Sequence, residues 1–266
     1  MTTTLDVHEA ALLLHDARAE ATAVPQLTDA SGVDLSAAYA VQAAGLELRV
    51  RDGERCIGVK LGLTSRAKMQ QVGVDEVILG RLTDAMAVPD GGTVELGRFI
   101  HSRAEPEIAF RLGREVLPNE AFESAVSAFD AVAPAVEIID SRYADFRFTL
   151  EDVVADNASA VGYVLGPWSA YGPAGPDISN RGTLLEVDGR VVATGSTAAI
   201  LGDPRRALAA VISLARSLGI PLPVGAVLLA GAATAAVPLA PGQHVRAVVA
   251  GLGTASFTCA PGQGER

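Results

Sequence analysis

Cysteine and histidine are scarce in this chain, and each scarcity closes off a class of chemistry. The two cysteines, Cys56 and Cys259, lie far apart with no Cys-x-x-Cys spacing and no histidine nearby, so neither a zinc site nor a disulfide framework is suggested, and both read as inert core thiols. The histidines, His8, His15, His101 and His244, form no motif with a carboxylate, although His101 is close enough to Glu105 to reach the edge of a site there. Basic residues are outnumbered, 21 Lys and Arg against 31 Asp and Glu, and no Lys/Arg run occurs. That balance argues against a nucleic-acid partner, which would want a basic face. No Gly-x-Ser-x-Gly elbow, Walker loop or dinucleotide-type Gly-x-Gly-x-x-Gly opens a helix, so serine hydrolysis and nucleotide cofactors are unsupported. Long apolar runs are missing too, apart from the Ala/Gly-rich stretch 220–239, whose prolines and glycines mark it as buried sheet, so no membrane association is expected. The first ten residues are polar and acidic where a secretory signal would be basic and then apolar, which predicts a cytoplasmic protein.

What is present is a chain of 266 residues, 49% of them hydrophobic, enough to bury a full core. Two regimes divide it. From Leu5 to about Arg51 apolar residues recur at helical spacing, predicting two amphipathic helices broken at Thr28-Asp-Ala-Ser-Gly32. From Cys56 onward short apolar runs punctuated by Gly, Pro and Asp predict a β-rich unit. The division expected is a helical region over residues 1–54 and a β-rich catalytic domain over 55–266, an α+β chain. Asp188-Gly189 supplies a tight turn for a hairpin over 186–192. A late helix is expected from Asp203-Pro204 to Leu218, ending at Gly219. The last strands are expected over 224–230, 244–249 and 254–259, with Pro241-Gly242 as a turn.

Three acidic residues stand out, Glu105 and Glu107 in Arg103-Ala-Glu-Pro-Glu-Ile-Ala-Phe110 and Glu137 in Pro134-Ala-Val-Glu-Ile-Ile-Asp140. Side chains two apart on a strand share a face, so Glu105 and Glu107 project together while Ile108 and Phe110 help bury the segment. Read alone, the pair is the ordinary pattern of solvated carboxylates on an edge strand. With a third carboxylate on a neighbouring strand, a divalent metal becomes the economical answer, and all-oxygen ligation suits Mg²⁺ or Mn²⁺. Lys60 sits among apolar and small neighbours in Gly58-Val-Lys-Leu-Gly-Leu-Thr64, so its ammonium either snorkels outward or finds a carboxylate inside. Beside a metal it would act as acid, base or anion clamp. Asp84 and Asp75-Glu76 are similar cases, each by itself an ordinary turn or surface carboxylate.

The order of Gly58 to Met69, Gly73-Val-Asp75, Glu105-x-Glu107, Glu137-Ile-Ile-Asp-Ser-Arg-Tyr143, Val153-Val-Ala-Asp-Asn-Ala-Ser159 and Thr234-Ala-Ala-Val-Pro238 resembles the fumarylacetoacetate hydrolase superfamily. Within it the chain looks most like the branch that holds 2-oxo-3-hexenedioate (4-oxalocrotonate) decarboxylases and 2-hydroxypenta-2,4-dienoate hydratases. The resemblance implies a mixed β-roll core with an α-helical N-terminal region and a divalent metal on Glu105, Glu107 and Glu137. By it Lys60 matches an active-site lysine, while Asp75, Asp84, Ser159 and Thr234 fall in segments that line the pocket; for the reaction implied, residues such as Leu61, Leu63 and Phe110 are expected to supply apolar walls. The activity implied is decarboxylation of 2-oxohex-3-enedioate in aromatic meta-cleavage catabolism. The alternatives are hydration of 2-hydroxypenta-2,4-dienoate or the role of a non-catalytic partner subunit. A homo-oligomer is expected, with association with a related hydratase or decarboxylase. Two departures from the pattern, Pro106 between the glutamates and the bare Gly231-Ala-Ala233, bear on the identity of the 2-oxo acid substrate; Pro106 is compatible with an edge or bulged strand.

Overall fold

The structure is a computed structural model that describes residues 6–30, 32–65, 69, 76–117 and 119–261. The chain opens with helices α1 (Val7–Ala19), α2 (Leu27–Ala30) and α3 (Leu35–Arg51). Asp6 caps α1 by accepting the His8 and Glu9 N–H groups, and Asp34 caps α3 by accepting that of Ala37. The segment expected to be a plain break thus carries a helical turn of its own, α2. Small residues on the buried faces, Ala10, Ala11 and Ala38 beside Leu14 and Val41, let α1 and α3 pack on Ile78, Tyr143, Val153 and Val154. Gln42 Nε2, buried in that seam, donates to Leu79 O and Val154 O, both at 2.9 Å. No helix among the described residues is long and apolar enough to cross a membrane.

Strands follow as β1 (Cys56–Gly62), β2 (Ile78–Thr83), β3 (Ala87–Val88), β4 (Gly92–Val94), β5 (Arg103–Leu112) and β6 (Phe129–Ile139). After a short helix, Leu150–Ala155, come β7 (Ala160–Leu165), β8 (Ser169–Ala170), β9 (Gly182–Val187) and β10 (Arg190–Ser196). The helix Arg206–Ser217 precedes β11 (Val227–Ala232), β12 (Val237–Pro238), β13 (His244–Val249) and β14 (Gly253–Cys259). Among the described residues they form two sheets. The larger runs β2-β1-β11-β5-β6-β7-β3, with β12 on β5 and β8 on β6; the smaller runs β10-β9-β13-β14-β4. This is the α+β fold expected, mixed sheets behind an N-terminal helical layer.

β5 decides where the core lies. Its even-numbered residues Ile108, Phe110 and Leu112 meet Leu208, Val211 and Ile212 of the helix Arg206–Ser217, and Phe110 packs edge-on against Phe129 and Tyr171. Burying each such side chain is worth about 1.5–3 kcal/mol. Its odd-numbered residues Arg103, Glu105 and Glu107 point the other way.

The Asp188-Gly189 hairpin forms with both residues at positive φ, 51° and 74°. The late helix starts at Arg206, three residues after Asp203, because the Asp203 carboxylate accepts the Arg205 N–H in a turn of its own. Cys259 is buried as expected, whereas Cys56, at the mouth of β1, is exposed. β5 is not an edge strand, since it pairs with β6 on one side and with β11 and β12 on the other. Pro106 is tolerated there because its carbonyl accepts the Ala233 N–H, which puts its missing donor opposite the irregular stretch of β11 between Leu229 and Ala232.

Candidate active site

The β5/β6 register builds the site. Glu105 lies directly opposite Glu137, and Glu107 follows two residues on along the same face. Like charges facing each other across a ladder are destabilising. Here the three carboxylates are also buried, 4%, 1% and 1% exposed for Glu105, Glu107 and Glu137, and each can present an oxygen within 4.8 Å of the other two. Glu107 Oε2 accepts the Gly231 N–H at 2.9 Å, but among the described residues no directed hydrogen bond reaches its Oε1 or either oxygen of Glu137. Burial, reinforced by the Glu137 charge, pushes the Glu107 carboxyl well above the ordinary carboxylate range. Burial raises Glu137 too, with Lys60 opposing the shift and Glu105 adding to it.

Lys60 is the counter-charge. It projects from β1 with its Nζ 3.1 Å from Glu137 Oε1, and its directed hydrogen bond goes to Ala158 O at 2.8 Å. The ammonium found a carboxylate inside and does not snorkel. Gly80, its partner on β2, leaves room for the stem, since a Cβ there would stand 3.0 Å from Lys60 Cδ and 2.7 Å from Asn157 O. The carbonyl that holds Lys60 belongs to an unusual run, for Asn157, Ala158 and Ser159 all have positive φ, 53°, 51° and 61°. Such backbone costs about 1–3 kcal/mol per residue and collects at functional sites. The Asn157 side chain secures it by accepting the Arg81 N–H and donating to Arg81 O, at 2.7 and 2.9 Å.

Three buried carboxylates within reach of one another, with oxygens of Glu107 and Glu137 that lack hydrogen-bond donors among the described residues, fit a divalent cation with oxygen ligands. No cysteine or histidine joins the group, which disfavours zinc.

A cavity of about 1190 Å³ opens on this face. Lys60, Leu61, Glu105, Ser159 and Thr234 line it, so those sequence-chosen residues converge, with the more deeply buried Glu107 and Glu137 in contact range of Glu105. Ser159 Oγ is buried without a partner among the described residues, and half-buried Thr234 donates its Oγ1 hydroxyl to Ala235 O. Leu63 is a wall as expected; Phe110 is not, because its position on β5 sends it into the core. Asp84 does not join the cavity. It lies at the far end of β2 from Ile78, bonded to Arg55, whose backbone N–H and guanidinium hold its carboxyl below the usual range. Asp75 lies outside the described residues. His101 stacks on Phe146 at 5.1 Å and stands 4.0 Å from Asp140.

Residues that sequence reasoning passed over complete the wall. Asp152 is fully buried and accepts hydrogen bonds from Gln26, Thr28 and Thr149, which outweigh burial and hold its carboxyl low. It fastens α2 to the cavity rim; the Thr149-x-x-Asp152 capping box was readable, its distant partners were not. Arg103, Phe146, Arg147 and Phe148 also line the cavity.

Residues 59–259 match the family described as fumarylacetoacetate (FAA) hydrolase C-terminal. The chain belongs to the fumarylacetoacetate hydrolase family. Among relatives in that family, it is 48% identical over 245 residues to a 4-oxalocrotonate decarboxylase of Pseudomonas sp, covering 92% of this chain and 94% of that one. It is 38% identical over 251 residues to a 2-keto-4-pentenoate hydratase of Paraburkholderia xenovorans (strain LB400), covering 92% of each. The solved 4-oxalocrotonate decarboxylase from Pseudomonas putida G7, complexed with magnesium and adipate, superposes with a TM-score of 0.89 at 35% identity, over 97% of this chain and 100% of that one.

Proposed function

We propose that this protein is a Mg²⁺-dependent decarboxylase that converts 2-oxohex-3-enedioate (4-oxalocrotonate) to 2-hydroxypenta-2,4-dienoate and carbon dioxide in aromatic meta-cleavage catabolism. The observation that carries the reading is the buried carboxylate triad beside Lys60, in a chain 48% identical over 92% of its length to a 4-oxalocrotonate decarboxylase. Glu105, Glu107 and Glu137 would hold the metal, Mg²⁺ or Mn²⁺. Bound there, a divalent cation supplies Lewis-acid polarisation of the substrate's 2-oxo group.

The chain's own residues do the rest. In the substrate the C5–C6 bond breaks, its electron pair forms C4=C5, and charge moves through the C3=C4 double bond to the 2-oxygen. Leu61, Leu63, Ile78 and Val153 form an apolar wall that excludes water from the carbon chain of the substrate. Lys60 stabilises the negative charge as it arrives and delivers the proton that yields the dienol. Ser159, whose buried hydroxyl has no partner among the described residues, and Thr234 orient the substrate.

A hydratase acting on 2-hydroxypenta-2,4-dienoate is the second reading, favoured by hydratase relatives at 38% identity over 92% of this chain. A non-catalytic partner subunit is less well supported, since Lys60 and all three glutamates are intact. The resemblance puts Asp75 and Asp84 in pocket-lining segments, which offers both as catalytic candidates; for Asp84 the Arg55 pairing supports a structural part instead. We also read residues 1–54 as a helical region serving the catalytic domain 55–266, and the protein as a cytoplasmic homo-oligomer that acts on a small 2-oxo acid, engages neither nucleic acid nor membrane, and associates with a related hydratase or decarboxylase. The test is metal-stripped protein with and without Mg²⁺ on freshly generated 2-oxohex-3-enedioate, following substrate loss and carbon dioxide together. Stoichiometric Mg²⁺-dependent release supports the decarboxylase. Turnover of 2-hydroxypenta-2,4-dienoate without release moves the assignment to the hydratase.

A further inference from the structure

Among the described residues three cations line the cavity, Lys60, Arg103 and Arg147. Lys60 has its partners in Glu137 and Ala158 O. Among the described residues neither Arg103 nor Arg147 is ion-paired with a carboxylate; what sets them apart from other such arginines is that both line the cavity.

Their placement is determined by the fold. Arg103 stands two residues before Glu105 on β5, so it leaves the strand on the same face, about 7 Å further along. Its guanidinium lies over the Phe146 ring, 4.3 Å from the centroid, and Phe146 is held between His101 and Phe148. Asp145 and Phe146 are both left-handed, at φ 58° and 56°, a strained turn that delivers Arg147 directly after the ring. One turn thus supports one guanidinium and presents a second. The acids on this wall, Asp145 and Glu151, are exposed and half-exposed, where water screens them.

We propose that Arg103 and Arg147 receive the second carboxylate of the substrate, the group that separates a six-carbon 2-oxo diacid from the five-carbon monoacid of a hydratase. This rests on the decarboxylase reading above. Carboxyl carbons of an extended six-carbon diacid are roughly 6 Å apart by ordinary bond lengths, close to the single strand repeat between Glu105 and Arg103. Guanidinium forks match a carboxylate in shape and charge. Decarboxylation adds a kinetic consequence: charge leaves this carboxylate as the C5–C6 bond breaks, so the arginines hold the ground state more tightly than the transition state. Removing them therefore raises KM without lowering kcat.

The test uses Mg²⁺-loaded full-length protein and the variants Arg103→Gln and Arg147→Gln. Calorimetry compares 2-oxohexanedioate with 2-oxohexanoate, which differ only in the terminal carboxylate, and steady-state kinetics follow 2-oxohex-3-enedioate. Each variant is expected to weaken the diacid about tenfold, the loss of one charge-assisted contact, to leave the monoacid unchanged, and to raise KM with kcat unchanged or increased. Arg147 is exposed, so its variant probes the idea without disturbing the core. Equal loss of both acids, unchanged diacid binding, or a fall in kcat at constant KM would each overturn the assignment. Wild-type protein that prefers the diacid through these arginines yet releases no carbon dioxide would sink the decarboxylase reading and leave the subsite standing.

Discussion

Replacing Glu107 by Gln should make the metal-free protein more stable while removing its response to Mg²⁺. Gln keeps an acceptor for the Gly231 N–H and nearly the same volume, so the change isolates the charge. With oxygens of the triad within 4.8 Å of one another, each like-charged pair costs about 3.5 kcal/mol at an effective dielectric of about 20. The wild-type protein relieves part of that by holding a proton, as the raised Glu107 carboxyl indicates, so the net gain should be about 1–3 kcal/mol. For a chain of this size that is a rise in Tm of roughly 2–8 °C. The sign with pH follows from the same shift. A carboxyl whose folded pKa exceeds its unfolded value carries no penalty below the unfolded pKa and an increasing one as pH rises through the folded pKa, so the advantage of the variant widens toward alkaline pH. The assay is thermal unfolding of metal-stripped protein across pH, with and without Mg²⁺. At one hundred times its Kd, Mg²⁺ should add about 2.7 kcal/mol to the wild type and nothing to the variant. A metal-free variant that melts below wild type at every pH, or one that keeps the Mg²⁺ shift, refutes the reasoning.

Lys60→Met strands Glu137 without its counter-charge and should lower metal-free stability by about 3–5 kcal/mol and abolish turnover, checked by melting and by carbon dioxide release. Gly231→Ala places a Cβ 2.0 Å from Thr64 Oγ1 on backbone at φ 113°, and should cost about 2 kcal/mol or more in chemical denaturation. Gly80→Ala crowds the Lys60 stem at 3.0 Å while leaving the three glutamates alone, so kinetics and calorimetry should show kcat falling with Mg²⁺ affinity kept. Because burial raises both Glu107 and Glu137, Mg²⁺ binding should release protons and tighten as pH rises, read as a buffer-dependent binding enthalpy; an affinity independent of pH would contradict it.

Local chemistry made much of this legible. Two-residue periodicity put Glu105 and Glu107 on one face, and Asp188-Gly189 announced its hairpin. Long-range register was beyond reach: nothing in the local pattern says that Glu137 faces Glu105, that Pro106 sits inside a sheet opposite an irregular β11, or that Lys60 ends against a carbonyl 98 residues away. Asp84 shows the converse error. A carboxylate in a suggestive segment was satisfied by Arg55 at the wrong end of its strand. Arg103 was printed two residues before the glutamates, but its bearing depends on Phe146, delivered by a left-handed turn that no residue type there demands.

Register pairing between Glu105 and Glu137 also governs how this site can change over time. A slip of one residue between β5 and β6 would swing Arg103, Glu105 and Glu107 onto the face now filled by Ile108 and Phe110, so the triad cannot drift by small steps and is inherited whole with the sheet. Segments 144–151 and 232–236, which supply much of the cavity wall, are tied to no such ladder along most of their length. New reactions can therefore arise by exchange of loops over a constant ionic floor, and an engineer wishing to move this scaffold between diacids and monoacids should exchange the Arg103 side chain in place, graft the loop that carries Arg147, and leave the β5/β6 register untouched.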